Sequence, residues 1–229
     1  MKHNNLLLLH GALGSEAQLQ PLQQLLSKDF NVHTLNFEGH GGRKSNRGFA
    51  MEYFAENVVE KLQELKISQT HIFGYSMGGY VALTLAKKHP EMVDSIVTLG
   101  TKFNWSLESA QQEVNMLNPS KIEEKVPAFA KHLQQLHHPN DWKEVLQKTA
   151  DMMLALANGK RLTDDDLQQI PHKVLIGIGS LDTMVSVAES EHAAALVSNG
   201  TINILEGVKH PIEKVDMNIL AAVIHDFLA

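Results

Sequence analysis

The sequence predicts a doubly wound α/β fold, a mostly parallel six-stranded sheet interrupted once by an all-helical insertion. Two observations carry this expectation. Short apolar runs alternate with longer amphipathic stretches, and the runs are continuously apolar, as in strands covered by helices on both faces. From about residue 101 to residue 170 the alternation stops, and only helical patterns punctuated by Pro119, Pro127, Pro139 and Pro171 remain. A chain of 229 residues, 43% hydrophobic and 20% charged, fits one large α/β domain or two small ones, and excludes a disordered tail, a collagen-like repeat and a coiled-coil rod.

The expected strands are residues 5–9, 31–37, 70–75, 93–99, 173–178 and 201–205. Each is short, and Val and Ile recur in the later ones. Between them, Pro21 suits the first turn of a helix carrying Leu22, Leu25 and Leu26. Phe54, Val58, Leu62 and Leu65 form the stripe of a second helix, and Val81, Leu85 and His89 that of a third. The third ends near His89-Pro90, because the residue before proline resists helical geometry. Ile219, Val223 and Phe227 mark a terminal helix. Strand–helix alternation of this kind gives parallel strands joined by crossover helices. The expected organisation is a core of residues 1–100 and 171–229, with residues 101–170 as a helical cap. Leu133, Leu136, Trp142, Val145, Leu146, Met152, Met153, Leu154 and Leu156 supply the cap's apolar faces.

Composition narrows the function. The formal charge is −6, and this mild acidity argues against a nucleic-acid or polybasic membrane partner, either of which would need a clustered excess of Lys and Arg. Cysteine is absent, so there is no disulfide framework, thiolate nucleophile or zinc ribbon, which suits a reducing compartment. Met1-Lys2 before Leu6-Leu7-Leu8-Leu9 superficially suggests a signal peptide. The run has only four apolar residues, against roughly 7–15 in a secretory core, so it reads as a buried strand of a cytoplasmic protein.

The chemistry centres on Gly74-Tyr75-Ser76-Met77-Gly78-Gly79, a G-x-S-x-G pattern between an expected strand and an expected helix. A serine there must sit on a tight turn, with flanking glycines that allow close backbone approach. The turn lifts its hydroxyl above the sheet, beside the free N–H groups of a helix N-terminus. A serine hydroxyl needs a base to take its proton. His210 follows the last expected strand in Gly207-Val208-Lys209-His210-Pro211, and Asp182 follows the preceding strand in Gly179-Ser180-Leu181-Asp182. The chain order Ser76, Asp182, His210 is that expected of one triad-bearing fold.

On these motifs the sequence resembles the α/β-hydrolase fold superfamily over essentially its whole length. Leu9-His10-Gly11-Ala12-Leu13-Gly14 looks like that family's oxyanion loop, and Gly39-His40-Gly41 is like its G-H-G turn. The resemblance implies that the backbone N–H groups of Ala12 and Met77 form the oxyanion hole, and that the insertion covers the site. Two departures stand out. Asn36-Phe37-Glu38 replaces the family's usual Asp-x-Pro, and the two leading antiparallel strands are missing, leaving an all-parallel core.

Other candidates carry weaker signals. His132, His137 and His138 invite a metal reading, but no carboxylate or cysteine partner has ligand spacing, so no metal is expected. Asp94 falls at the wrong edge of the sheet and reads as a solvated loop residue. Asp164-Asp165-Asp166 reads as a helix start. Arg43, Lys44 and Arg47 read as a solvated basic group, with an anionic substrate at the pocket mouth as the alternative. The expected activity is cofactor-free hydrolysis of a small carboxylic ester or related acyl bond, with thioester and carbon–carbon hydrolysis open. The other classes are a lyase or a relative of the menaquinone-pathway synthase, and a ligand-sensing binder of the same fold. The cap lacks an obvious Arg cluster to clamp the multiply anionic substrate of such a synthase.

Overall fold

In the computed structural model the described residues are 4–229; Met1, Lys2 and His3 lie outside them. The strands are β1 (Asn5–Leu9), β2 (Asn31–Thr34), β3 (Thr70–Tyr75), β4 (Val93–Leu99), β5 (Lys173–Gly179) and β6 (Asn199–Leu205). They form one sheet in the order β2-β1-β3-β4-β5-β6, and every neighbouring pair is parallel. The helices of the core are α1 (Gln20–Leu26), α2 (Met51–Glu64) and α3 (Met77–Lys88). Between β4 and β5 come α4 (Leu107–Met116), α5 (Pro119–Lys125), α6 (Pro127–His137), α7 (Trp142–Ala155) and α8 (Asp164–Gln168). Two more, α9 (Val187–Leu196) and α10 (Met217–Leu228), complete the chain.

The leucine run of β1 shows why these strands lack polar alternation. Leu7 and Leu9 face one layer, with Phe54, Val58, Leu62, Val81 and Leu85 of α2 and α3. Leu6 and Leu8 face the other, with Leu19, Leu22 and Leu26 around α1 and with Leu220 and Ile224 of α10. All four are completely buried, each worth roughly 1.5–3 kcal/mol of transfer free energy.

One strand boundary is corrected. β2 ends at Thr34 rather than at residue 37. It is an edge strand paired only with β1, and the pairing ends at Leu8↔Thr34. The N–H groups of Phe37 and Glu38 go instead to His10 Nε2 (3.2 Å) and Asn57 Oδ1 (2.9 Å). The expected terminal helix is present as α10, which buries Leu220, Ile224 and Leu228 and packs Val223 and Phe227 beside them, while Ile219 is 54% exposed.

The insertion packs two ways. Ile122, Ala130, Leu133, Trp142 and Leu146 form a small cluster of their own. Trp105, Val145, Met152 and Leu156 join the cluster that holds β1, α2 and α3. Polar ties add to this. Asn140 Nδ2 donates to the carbonyls of Gly39 (3.1 Å) and Arg43 (2.9 Å), and the Gly41 N–H donates to His137 Nδ1 (3.2 Å).

The strand order reverses between β1 and β3. In an open parallel sheet the chain leaves those two strands toward opposite faces, opening a crevice at their carboxyl ends.

Candidate active site

Ser76 stands at that crevice, between the end of β3 and the start of α3, with φ 50° and ψ −114°. A non-glycine residue in this region costs about 1–3 kcal/mol and persists only where its surroundings fix it. Here they do. The Ser76 N–H donates to the Leu99 carbonyl at 2.8 Å, and Thr101 Oγ1 donates to the Ser76 carbonyl at 3.0 Å. Both anchors come from the end of β4. Gly74 and Gly78 make the turn sterically possible. A Cβ on Gly74 would lie 2.3 Å from the Gly79 nitrogen, and one on Gly78 would lie 2.4 Å from the Leu9 carbonyl oxygen.

The loop after β1 is shaped by His10. Its Nδ1 donates to the Gly11 carbonyl at 2.8 Å, while its Nε2 accepts the Phe37 N–H at 3.2 Å. That pattern requires a neutral ring, and burial lowers the His10 pKa to about 4, helped by repulsion from His137 against the opposing Gly11 bond. Gly14 N–H closes a turn onto the Gly11 carbonyl at 3.2 Å, and Leu13 takes a φ of 57°. Ala12 is thereby brought to the same cavity as Ser76 and Met77.

Asp182 and His210 come from the loops after β5 and β6. Asp182 Oδ1 accepts the N–H groups of Met184 (2.8 Å) and Val185 (2.9 Å), which leaves Oδ2 for His210 Nδ1 at 2.7 Å. The side chains are 2% and 9% exposed, respectively. Burial alone would raise the Asp182 pKa, but the hydrogen bond and charge of His210 and the two N–H donors hold it below the usual carboxylate range. The two loops are joined by the Leu181 N–H to the Val208 carbonyl at 2.9 Å.

Ala12, Ser76, Met77 and His210 therefore line one cavity, with Asp182 behind the imidazole. The cavity's free volume is about 50 Å³, room for a few waters at ~10–15 Å³ each. Most of the remaining wall is apolar, from Met51, Tyr80, Trp105, Met152 and Met153. The exceptions are Lys102 and Glu113 of α4, which pair with each other.

The other sequence candidates lie elsewhere. Arg43 is paired with Glu60 at 2.9 Å, and Arg47 with Glu38 at 2.8 Å and Glu56 at 2.9 Å. Neither arginine lines the cavity. Asp94 is exposed, but it belongs to β4 rather than a loop and lies 3.5 Å from His71 Nε2. Asp164-Asp165-Asp166 do start a helix, capped by Thr163. Sequence reasoning missed Tyr75, Thr101, Lys102 and Glu113. Thr101 and Lys102 were legible as residues at a strand's carboxyl end, whereas nothing in the pattern of α4 sets Glu113 apart.

A family model described as alpha/beta hydrolase fold matches residues 4–171, and the chain belongs to that family. Among its relatives is a Caulobacter segnis protein provisionally named as carbamate hydrolase RutD, 26% identical over 84% of this chain and 79% of the relative. The pimeloyl-(acyl-carrier protein) methyl ester esterase of Aliivibrio salmonicida is 26% identical over 90% of this chain and 85% of that one. The 2-hydroxy-6-oxo-6-phenylhexa-2,4-dienoate hydrolase of a Rhodococcus species superposes with a TM-score of 0.82 at 16% identity, covering 99% of this chain and 90% of its own. The protein is an enzyme, a hydrolase of this fold. Among the described residues, no helix is long and apolar enough to cross a membrane.

Proposed function

We propose that the protein is a serine hydrolase that cleaves a small carboxylic ester or a related acyl bond through an acyl-enzyme. One observation carries this reading. The strained Ser76 turn and a histidine already bound to a buried aspartate open on one small cavity. With Nδ1–H held by Asp182, Nε2 of His210 is the free base of the imidazole. In the proposed reaction it takes the Ser76 proton as Oγ attacks the substrate carbonyl, then delivers that proton to the leaving group. A water deprotonated by the same nitrogen attacks the acyl-enzyme and releases the acid, regenerating Ser76. Asp182 fixes the tautomer and stabilises the imidazolium without becoming protonated. The N–H groups of Ala12 and Met77 serve as the oxyanion hole, and a donor of this kind contributes about 3–4 kcal/mol elsewhere.

Residues 101–170 act in this reading as a cap that supplies the apolar wall and keeps bulk water from the acyl-enzyme. Small cavity volume favours short acyl groups. Relatives named as a methyl ester esterase and a carbamate hydrolase support a carbonyl substrate. The test is intact-mass labelling with a fluorophosphonate probe. Wild type should gain one adduct and Ser76→Ala none; a folded wild type that gains none would overturn the reading.

A further inference from the structure

Beyond Ser76 and His210, the cavity wall is mostly apolar except where Lys102 and Glu113 meet it. Lys102 Nζ donates to Glu113 Oε1 at 3.1 Å and to the Met184 carbonyl at 3.0 Å. The side chains are 16% and 8% exposed, so the pair is largely withdrawn from solvent. Trp105 lies beside it, its ring 5.8 Å from Nζ and its Nε1–H on the Lys102 carbonyl at 3.1 Å. Position along the chain matters too. Lys102 follows Thr101, whose hydroxyl holds the Ser76 carbonyl, and Met184 follows Asp182 by two residues.

An ammonium has three N–H groups and a carboxylate about four lone-pair sites. These contacts engage two of the first and one of the second. Buried ion pairs are weak stabilisers, since methionine-sized apolar residues could fill such a place at no loss. A charge pair facing a reaction cavity otherwise lined by Met, Trp and Tyr therefore points to recognition. Its unused valences also define the ligand. The pair is neutral overall, with donor and acceptor side by side, so a substrate carboxylate would meet Glu113 as well as Lys102. A hydroxyl or amide can accept from the ammonium and donate to the carboxylate.

We propose that Lys102 and Glu113 are specificity-determining residues, selecting substrates that carry an uncharged hydroxyl or amide in addition to the scissile acyl bond. This rests on the assignment of Ser76 as the nucleophile. A site built to hydrogen-bond a polar substrate group rejects the analogue lacking it far more strongly than an apolar pocket discriminates by size.

The experiment compares kcat/KM for methyl esters of matched length: methyl pentanoate, methyl 3-hydroxybutanoate, methyl N-acetylglycinate and monomethyl succinate. Wild type should favour the hydroxy or acetamido ester at least about 10-fold over the alkyl ester and the half-ester. The apolar pairs Lys102→Met with Glu113→Met, and Lys102→Met with Glu113→Leu, lack both the N–H donors and the carboxylate acceptor and should bring that ratio close to one, with melting curves verifying that each folds. A merely structural pair would lower the melting temperature and reduce every ester alike, which overturns the proposal. So would a preference for monomethyl succinate, an unchanged ratio in the variants, or turnover of none of the esters by protein that labels at Ser76. Fluorophosphonate labelling in the same samples separates the two claims. A labelled Ser76 without the preference removes the specificity site alone, whereas an unlabelled Ser76 removes the nucleophile on which it rests.

Discussion

The Tyr75 hydroxyl donates to the main-chain carbonyl of His210 at 3.1 Å, so the residue before the strained serine also holds the loop that carries the imidazole. The two rings lie 5.6 Å apart between centroids. One residue thus couples the position of Ser76 at the end of β3 to that of His210 beyond β6. Tyr75→Phe keeps the ring packing and removes the bond, leaving the His210 carbonyl without this partner. The expected result is a loss of about 1 kcal/mol in stability and a several-fold fall in kcat with little change in KM. Urea denaturation and steady-state kinetics on an ester would check both.

Asp182 divides its two oxygens between the backbone and His210. Oδ1 takes two backbone N–H groups and Oδ2 takes His210. In Asp182→Asn the amide oxygen can keep the backbone bonds, which turns the NH₂ toward His210 Nδ1. The imidazole then accepts at Nδ1 and carries its proton on Nε2, the wrong tautomer for a base. kcat should fall about 10³–10⁴-fold while the melting temperature changes little. A loss of less than tenfold would show that Asp182 does not orient the base.

Acid should destabilise the fold through His10. Its native pKa is lowered to about 4 by burial, from an ordinary value of 6.5, and His40 and His137 lie against it or close by. The sign follows. Below pH 6.5 the unfolded chain binds a proton that the native chain refuses, so stability is lost as pH falls from about 6.5 toward 4 and levels off below. The contribution of His10 is on the order of 3 kcal/mol across that window. His40 is lowered as well, first by burial, then by the neighbouring His10 and His137, and it acts in the same direction. Denaturant midpoints measured across pH 4–7.5 would test this, a flat profile counting against a neutral buried cluster.

Gly78→Ala should abolish the fold around the elbow. The added Cβ would lie 2.4 Å from the Leu9 carbonyl oxygen, which is backbone and cannot move aside without shifting β1. A loss of at least about 3 kcal/mol is expected, in the range reserved for severe steric conflict. Circular dichroism melts beside Gly48→Ala, a position where nothing lies within 4 Å of the new Cβ, would isolate the effect.

Much of the architecture was legible because each signal was local. The run Leu6–Leu9 reads as a doubly covered strand because successive side chains go to opposite layers. The elbow is legible because the backbone of Ser76 needs glycines at fixed offsets. His210 and Asp182 are legible because loops after parallel strands converge on one edge of the sheet. The end of β2 was not, since it depends on which neighbour is present. β2 stops where its pairing with β1 ends.

By itself, then, the sequence determined the order of strands and helices, the strand-to-helix turn at Ser76 and the chain order of Ser76, Asp182 and His210. These follow from backbone sterics and from hydrophobic periodicity over a few residues. Only the tertiary structure decided that Asp182 gives one oxygen to His210, that Tyr75 holds the His210 carbonyl, and that Lys102 meets Glu113 at the cavity wall. Such contacts join residues 11 to 135 positions apart, with a free energy that depends on distance and solvent exclusion, quantities that no periodicity in the chain encodes.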